Sequence, residues 1–232
     1  KNVVRENKRF VHYTSAETAI NIIRNKLVWM RNVRCMNDYM EVEYGLGQLV
    51  EAYQSPSGDK FRMVLNNIFP DIIGEIESQF NRWLFQLKTD TYITCISEHL
   101  PGEDRTGRLS MWRAYGRNAG VALVINNNSI LSSSNVLKVY SNPVGYFEAS
   151  HIATQLETIT ENILCEVDYI KTQTRENVIN LVFNMFMFAI LCIKHPGFKE
   201  EREWRIVYCP TIMQSNRVKK EICSVNGIPQ QI

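Results

Sequence analysis

The stretch Arg9–Leu27, RFVHYTSAETAINIIRNKL, contains a strand pattern followed directly by a helix pattern. Its first five residues, RFVHY, predict a short strand. From Ala16 onward, apolar residues recur at helical spacing, and Thr14 and Ser15 are candidate N-caps for that helix. Along the rest of the chain, strands and helices mix without a regular βαβ rhythm. The sequence therefore predicts an α+β fold.

The remaining elements follow from the same patterns. Predicted strands cover 27–30, 92–96, 120–125, 136–140, 203–208 and 219–225. Predicted helices run from Asn37-Asp38 towards Tyr53 and over 61–69, 72–87, 152–163 and 177–193, with a helical turn at 110–115. Polar composition predicts loops at 54–59 and 99–110. We expect one domain over residues 1–232, with a helical insertion at about 55–90 and helices at about 150–195.

Composition narrows the class of protein. With 45% hydrophobic and 22% charged residues, the chain has ordinary globular composition, and a net charge of +2 lacks the basic excess of a dedicated nucleic-acid binder. The six cysteines form no C-x-x-C pair, and the four histidines show no metal-ligand spacing. The most apolar run, Leu181–Ile193, is too short to span a bilayer, and the chain opens on charged residues. We therefore expect a cytoplasmic protein without a metal or a membrane partner.

Three common catalytic motifs are missing from the sequence. It has no G-x-x-x-x-G-K-[ST] phosphate loop, no H-E-x-x-H metal motif and no G-x-S-x-G nucleophile elbow. The sequence therefore does not predict a P-loop nucleotide hydrolase, a zinc protease of that type or an α/β-hydrolase.

The run Glu201-Arg202-Glu203-Trp204-Arg205 is the first candidate for chemistry. In a regular strand, residues two apart share a face, so Glu201 and Glu203 are predicted to lie side by side, with Arg205 on the same side. Two neighbouring carboxylates can divide the roles of an ionised group and a proton-transfer group. The alternative is a solvated edge strand in which glutamate and arginine neutralise each other.

Three further motifs accompany this run. His12-Tyr13-Thr14-Ser15 lies where a strand meets a helix, which suits an anionic ligand but equally a buried histidine before an ordinary N-cap. Ser110-x-Trp112-Arg113-x-Tyr115 is typical of a ligand pocket or of plain core packing. For Asn37-Asp38 a turn or helix cap is the favoured interpretation.

The order of these motifs, HYTS, MNDYME, LSMWRAYG before GVALVI, and FKEEREWRIV, resembles a bacterial family of domains of unknown function, DUF2971. The resemblance covers roughly residues 10–208. The same layout is similar to the ADP-ribosyltransferase superfamily, which implies a split antiparallel sheet with flanking and inserted helices. It also implies a cleft that binds NAD as a substrate, with no metal.

The resemblance implies a role for each motif. Glu203 would be the catalytic glutamate and Glu201 its assistant, while His12, Tyr13 and Thr14 would hold NAD. Ser110, Trp112 and Tyr115 would supply the middle motif, with an aromatic ring against the nicotinamide. The remaining candidates would contact the substrate: Asn37, Asp38, Arg113 and Arg205.

Cleavage of the nicotinamide–ribose bond passes through an oxocarbenium-like state, which a fixed carboxylate stabilises. The resemblance implies a toxin or antiphage effector that modifies a protein or nucleic-acid acceptor and is held in check by an antitoxin or other regulatory protein. An NAD glycohydrolase and a non-catalytic module that binds nucleotides or nucleic acid stay open. A metal-free nuclease or other phosphodiester enzyme that uses His12 with the glutamates is disfavoured.

Overall fold

The computed structural model describes residues 9–36, 40–116, 119–125, 137–225 and 228–232. The chain divides into two units, each assembled from separate segments. The sheet unit comprises Lys1–Met36, Asp90–Val144 and Phe198–Ile232. The helical unit comprises Asn37–Thr89 and Gly145–Gly197.

Among its described residues, the sheet unit is an open antiparallel sheet with two short α-helices. The order of the main strands is β4-β1-β3-β8-β5, and β2 also pairs with β3. A separate hairpin joins β9 to β10. These elements are β1 (Arg9–Ser15), α1 (Ala16–Asn25), β2 (Arg31–Asn32), β3 (Tyr92–His99), α5 (Leu109–Tyr115), β4 (Gly120–Ile125), β5 (Tyr140–Pro143), β8 (Glu203–Tyr208), β9 (Ile222–Val225) and β10 (Ile228–Gln231).

The α+β class predicted from the sequence is confirmed, and β1 leads into α1 as predicted. Ser15 is the N-cap: its side chain accepts a hydrogen bond from the Thr18 N–H at 3.2 Å. The helix ends at Lys26, whose φ of 54° places it in the left-handed region. The strand predicted over 27–30 is wrong, because those residues have no ladder partner and pairing starts only at Arg31.

Strands β1 and β3 pair over only part of their length. Their ladder ends at Val11 opposite Ser97, and beyond that point β1 pairs with β4 alone. Further along β3, the same edge is taken by β2, with Asn32 opposite Tyr92. The sheet therefore opens between β1 and β3. Whether the fold is that of the ADP-ribosyltransferases stays a prediction.

Each face of the sheet has its own apolar cluster. On one face, Val11 and Tyr13 pack with Met111 of α5, and this is called the α5 face below. On the opposite face, Phe10 packs with Ile96 and Trp204. Because neighbours along a strand alternate between faces, these two clusters assign a face to every residue of the paired strands.

The helical unit contains six helices and one short parallel strand pair, β6 with β7, among its described residues. Helix α8 supplies much of its core, with Phe183, Phe186, Met187 and Ile190 all buried. Within the described part of the chain it is the one helix whose length and composition suit a membrane crossing, and half of that window is buried. The elements are α2 (Glu41–Tyr53), α3 (Pro56–Ile68), α4 (Ile72–Thr89), β6 (Gly145–Tyr146), α6 (Ala149–Cys165), α7 (Val167–Thr172), α8 (Arg175–Cys192) and β7 (Ile193–Lys194).

The loop predicted at 54–59 is wrong, because α3 begins inside it. Pro56 occupies the first turn of α3, where its missing N–H costs no hydrogen bond. Gly58 lies against the Tyr53 carbonyl, and a Cβ there would come within 2.0 Å of that oxygen. The helix therefore starts close behind α2, and the glycine is required by this approach of two backbones.

Two other strand predictions are shifted. Of the strand predicted at 136–140, residue 136 lies outside the described residues, and β5 covers Tyr140–Pro143. The C-terminal strand predicted at 219–225 is shorter, starting at Ile222, and it forms a hairpin with β10. The segment predicted as a loop at 99–110 contains a 3-10 helix at Pro101–Glu103, and its ends belong to other elements, since His99 completes β3 and Leu109 starts α5.

Candidate functional site

Strand β8 starts at Glu203, and the two glutamates of the E-x-E motif do not share a strand. Glu201 ends a 3-10 segment, Pro196–Glu201. Arg202 follows with φ of 44°, in the left-handed region. The prediction that Glu201 and Glu203 lie side by side on one strand is therefore wrong, because the backbone turns between them.

Glu203 instead pairs with Arg205. The Arg205 Nε donates to Oε1 of Glu203 at 2.8 Å, and the two side chains are only 1% and 6% exposed. Both residues lie on β8 two positions apart, so the regular strand places them side by side, as predicted for Arg205. A charge buried this deeply requires a partner, and the ion pair supplies it.

The strand register shows which face carries this pair. Glu203 lies opposite Ser97, which lies opposite Val11, so all three side chains project from the α5 face. Trp204 points the other way, where its ring meets Phe10 edge-on at 5.2 Å between centroids. Glu203 and Arg205 therefore belong to the α5 face, together with the buried hydroxyl residue Ser97.

Tyr13 anchors the polar loop to the α5 face. Its ring is buried and meets the Trp112 ring edge-on, with centroids 4.9 Å apart. Its hydroxyl accepts a hydrogen bond from the Arg108 backbone N–H at 2.9 Å. Tyr115 packs against the same apolar cluster. The HYTS and SMWRAY motifs thus meet in space through Tyr13 and α5.

Trp112 is enclosed by backbone on several sides. Its Nε1 donates to the Thr106 carbonyl at 2.7 Å. A Cβ on Gly107, which has φ of 65°, would lie 2.6 Å from that nitrogen. A Cβ on Gly120 would lie 3.0 Å from the indole and 2.7 Å from the Cα of Gly116. These contacts give Trp112 a packing role, and its N–H is already used within the protein.

His12 lies where β1 and β3 separate. Its Nδ1 is 3.0 Å from the Cys95 carbonyl of β3. Because a carbonyl oxygen only accepts hydrogen bonds, Nδ1 carries the proton, which leaves Nε2 as an acceptor in the neutral ring. Burial lowers the pKa of His12 below its usual range, although the hydrogen bond to Cys95 opposes this shift. The ring therefore bridges the opening in the sheet in its neutral form.

The register separates His12 from Glu203. His12 follows Val11 on β1, so its Cβ points to the face of the sheet opposite to that of Glu203. Thr14 lies on the same face as His12 and is half-buried. The structure thus places Glu203 on the same face of the sheet as Tyr13 and α5, while the Cβ atoms of His12 and Thr14 point to the opposite face.

Arg108 joins the polar loop to the ends of β3 and β8. Its Nη1 donates to the Glu201 carbonyl and its Nη2 to the Glu98 carbonyl, each at 2.9 Å. Its Nε and Nη2 also bind the two carboxylate oxygens of Glu103. Arg108 is buried, and these contacts fix the backbone directly before Glu203. Arg108 was not among the predicted site residues, because an arginine in a polar loop gives no sign of burial.

Two carboxylates of this loop have lowered pKa values. Burial opposes ionisation of Glu103, but hydrogen bonds from the Leu100 N–H and Arg108 and the charges of Arg108 and Arg202 outweigh it and lower its pKa. Hydrogen bonds from His99 and Arg9 lower the pKa of Asp104. The loop is therefore held to the sheet by contacts that need both carboxylates in their charged forms.

The other predicted site residues have less defined roles. The Ser110 Oγ is buried and makes no hydrogen bond to the residues that the structure describes. Arg113 is exposed on α5. Asn37 and Asp38 lie outside the described residues. Across the described ranges, no group of three or more His, Cys, Asp or Glu residues could hold a metal ion.

Residues 111–206 match the model of a family described as a protein of unknown function, DUF2971. This match supports the DUF2971 family. It begins in α5, ends in β8 and includes Trp112, Glu203 and Arg205, although it covers less than half of the chain. No curated protein and no solved structure matches the chain. The likeness to ADP-ribosyltransferases therefore stays a prediction.

Proposed function

We propose that the chain is an ADP-ribosyltransferase that cleaves the nicotinamide–ribose bond of NAD and uses Glu203 as its catalytic carboxylate. The observation that carries this proposal is the buried ion pair between Glu203 and Arg205. A carboxylate with a fixed orientation, at the start of a strand and out of bulk water, suits the stabilisation of a cation.

The chemistry needs negative charge beside the ribose carbon. As the bond to nicotinamide breaks, the electron pair leaves with nicotinamide and positive charge develops on the ribose. The Glu203 carboxylate faces that charge and accepts a hydrogen bond from a ribose hydroxyl. Arg205 keeps Glu203 in place, so the carboxylate needs little rearrangement when the charge develops. An acceptor nucleophile then forms the new bond to the ribose carbon and loses its proton to solvent.

His12 contributes through the opening between β1 and β3. With Nδ1 bound to Cys95, its Nε2 is an acceptor for the carboxamide N–H of nicotinamide or for a ribose hydroxyl. Two strand spacings separate β1 from β8, roughly 10 Å. Because His12 and Glu203 start from opposite faces, a dinucleotide that contacts both must enter this opening in the sheet.

The acceptor is a protein side chain or a nucleic-acid group. As a cytoplasmic NAD-consuming enzyme, the protein would act as a bacterial toxin or antiphage effector, and an antitoxin or other regulatory protein would restrain it. These features rest on the sequence resemblance. The buried ion pair also fits a purely structural role, so the test must separate activity from stability.

The first experiment compares Glu203→Gln with a matched control. Glu41→Gln makes the same chemical change in the other unit, where Glu41 pairs with the buried Lys194 at 2.7 Å. We expect the native protein and Glu41→Gln to release nicotinamide from NAD in the presence of cell extract, and Glu203→Gln to lose at least about a hundredfold in rate. Release measured by chromatography from folded Glu203→Gln at the native rate would contradict the proposal, as would no release by the native protein.

A second experiment addresses the acceptor and His12. Radiolabelled NAD incubated with extract should give a labelled product that either protease or nuclease destroys, whereas nicotinamide release without labelled product would indicate an NAD glycohydrolase. His12→Ala should weaken NAD binding in calorimetry, while His151→Ala, an exposed histidine of the helical unit, should leave it unchanged. Equal affinities for both variants would limit His12 to bridging the sheet.

A further inference from the structure

The segment Ile20–Arg34 exposes an unusual number of apolar side chains. Every residue from Ile23 to Trp29 is exposed to solvent. The segment contains the second half of α1, the left-handed Lys26, and β2 with the residues on either side of it. Five large apolar side chains in it are each between 40% and 65% exposed: Ile20, Ile23, Leu27, Val28 and Trp29.

The geometry of α1 explains this exposure. Ala19 is the buried residue of the helix. Ile20 and Ile23 are three positions apart in α1, which places them on one side of the helix. Leu27, Val28 and Trp29 then follow one another directly. Exposed apolar side chains grouped in one short segment mark an interaction surface more often than scattered single ones.

The same segment is strongly basic. From Thr18 to Met36 the sequence has four Lys or Arg residues and no Asp or Glu, although the whole chain has a net charge of only +2. The remainder of the chain therefore carries a net charge of −2, from +2 minus +4. Arg24, Lys26 and Arg34 are exposed, and none of them forms a salt bridge with a described residue.

Exposed apolar side chains together with exposed cations indicate which kind of partner can bind this segment. A second copy of the chain would bring two basic segments together, and like charges at close range repel. A nucleic acid would match the cations and could stack on Trp29, but it would leave the aliphatic side chains in water. An anionic lipid surface matches both properties, since cations meet the headgroups while isoleucine, leucine, valine and tryptophan enter the interface.

We propose that Ile20–Arg34 is a contact surface for anionic lipid bilayers, which the protein binds peripherally. This proposal does not depend on the proposed NAD chemistry, and it departs from the expectation of no membrane partner because exposure could not be read from the sequence. The segment lies at the surface of the bilayer, with Ile23, Val28 and Trp29 at the level of the headgroups and acyl-chain ends.

The test is co-sedimentation of the full chain with vesicles of phosphatidylcholine alone or of phosphatidylcholine and phosphatidylglycerol in equal parts. We expect binding to the anionic vesicles, and weaker binding as salt is added. The double variant Arg24→Gln/Lys26→Gln should lose about 25-fold in partitioning at low salt, at about fivefold per cation. The double variant Ile23→Ser/Val28→Ser should lose about tenfold or more.

Matched controls remove equal charge and equal apolar surface elsewhere. Lys219→Gln/Lys220→Gln removes two exposed cations, and Met63→Ser/Phe85→Ser removes two exposed apolar side chains of the helical unit. Both controls should bind like the native chain. The proposal is overturned if the native chain does not bind anionic vesicles, if the controls lose as much binding as the test variants, or if a single-stranded oligonucleotide binds through this segment while vesicles do not. None of these outcomes bears on the proposed NAD turnover, so the two proposals can fail separately.

Discussion

The ion pair between Glu203 and Arg205 gives a quantitative prediction for stability. Their 2.8 Å contact is almost fully removed from water, with side chains 6% and 1% exposed. Removing one partner of such a buried pair costs about 3–5 kcal/mol, because the remaining charge loses this ion pair while it stays out of water. We therefore expect Glu203→Gln and Arg205→Met each to lower the free energy of unfolding by about 3 kcal/mol or more.

The double variant separates this effect from general damage. In the double variant neither charge stays buried without the other, so it should lose less than the sum of the two single losses, by about 2 kcal/mol or more. Unfolding in urea can be followed by tryptophan fluorescence in a Trp83→Phe background. Trp83 is the tryptophan of the helical unit, and the other three belong to the sheet unit.

Losses that add to within about 0.5 kcal/mol would refute the reasoning, because they would show that the two side chains act independently. Single losses below about 1 kcal/mol would do the same, since they would mean that water reaches the pair. The cycle also bears on the proposed function. A Glu203→Gln protein that stays folded at the assay temperature is required before lost activity can be assigned to chemistry.

Other positions give further expectations. Gly45→Ala should destabilise the protein by about 1–3 kcal/mol, because a Cβ there would lie 2.6 Å from the Ile190 carbonyl. At Gly47 a Cβ would meet open space, so Gly47→Ala should stabilise α2 by about 0.5–1 kcal/mol. Urea unfolding of the two variants measures both effects. Iodoacetamide should modify exposed Cys165 before Cys209, whose burial raises its pKa to about 11, as mass spectrometry of the folded protein can show. Folding lowers the pKa of Asp104, so the ionised side chain stabilises the folded protein at a pH above the unfolded pKa. This contribution is lost as the pH falls from roughly 5 towards the lower pKa of the folded state. In Asp104→Asn, the free energy of unfolding should therefore depend less on pH over that range.

Much of the local structure could be predicted because the signals lie within short stretches. The change of period after Ser15 correctly marks the start of α1, and the regular spacing in β8 correctly places Arg205 beside Glu203. The prediction of a loop at 54–59 was wrong because of a close contact between backbone groups, which local propensity does not show. Gly58 and its polar neighbours have low helix propensity, but the close approach to Tyr53 makes a glycine useful there.

The candidate site was harder to predict because its geometry depends on register and on a single dihedral. Nothing in the composition of the E-x-E run indicates the positive φ of Arg202, which separates Glu201 from Glu203. The face occupied by His12 depends on the pairing of Val11 with Ser97, a contact between distant parts of the chain. Arg108 was missed because its value as an anchor depends on burial.

The way in which the chain leaves and re-enters the sheet has an evolutionary consequence. Val33 precedes the first helical segment, Asn37–Thr89, and Thr91 follows it. The Val33 N–H donates to the Thr91 carbonyl at 2.9 Å. Around the second segment, the Val144 N–H donates to the Glu203 carbonyl at the same distance. Each inserted segment thus begins and ends about one strand spacing apart, a gap that a short turn can also close. Insertions and deletions between these anchor points leave the strand order intact, so relatives of this chain should differ in length mainly between residues 33 and 91 and between residues 144 and 203.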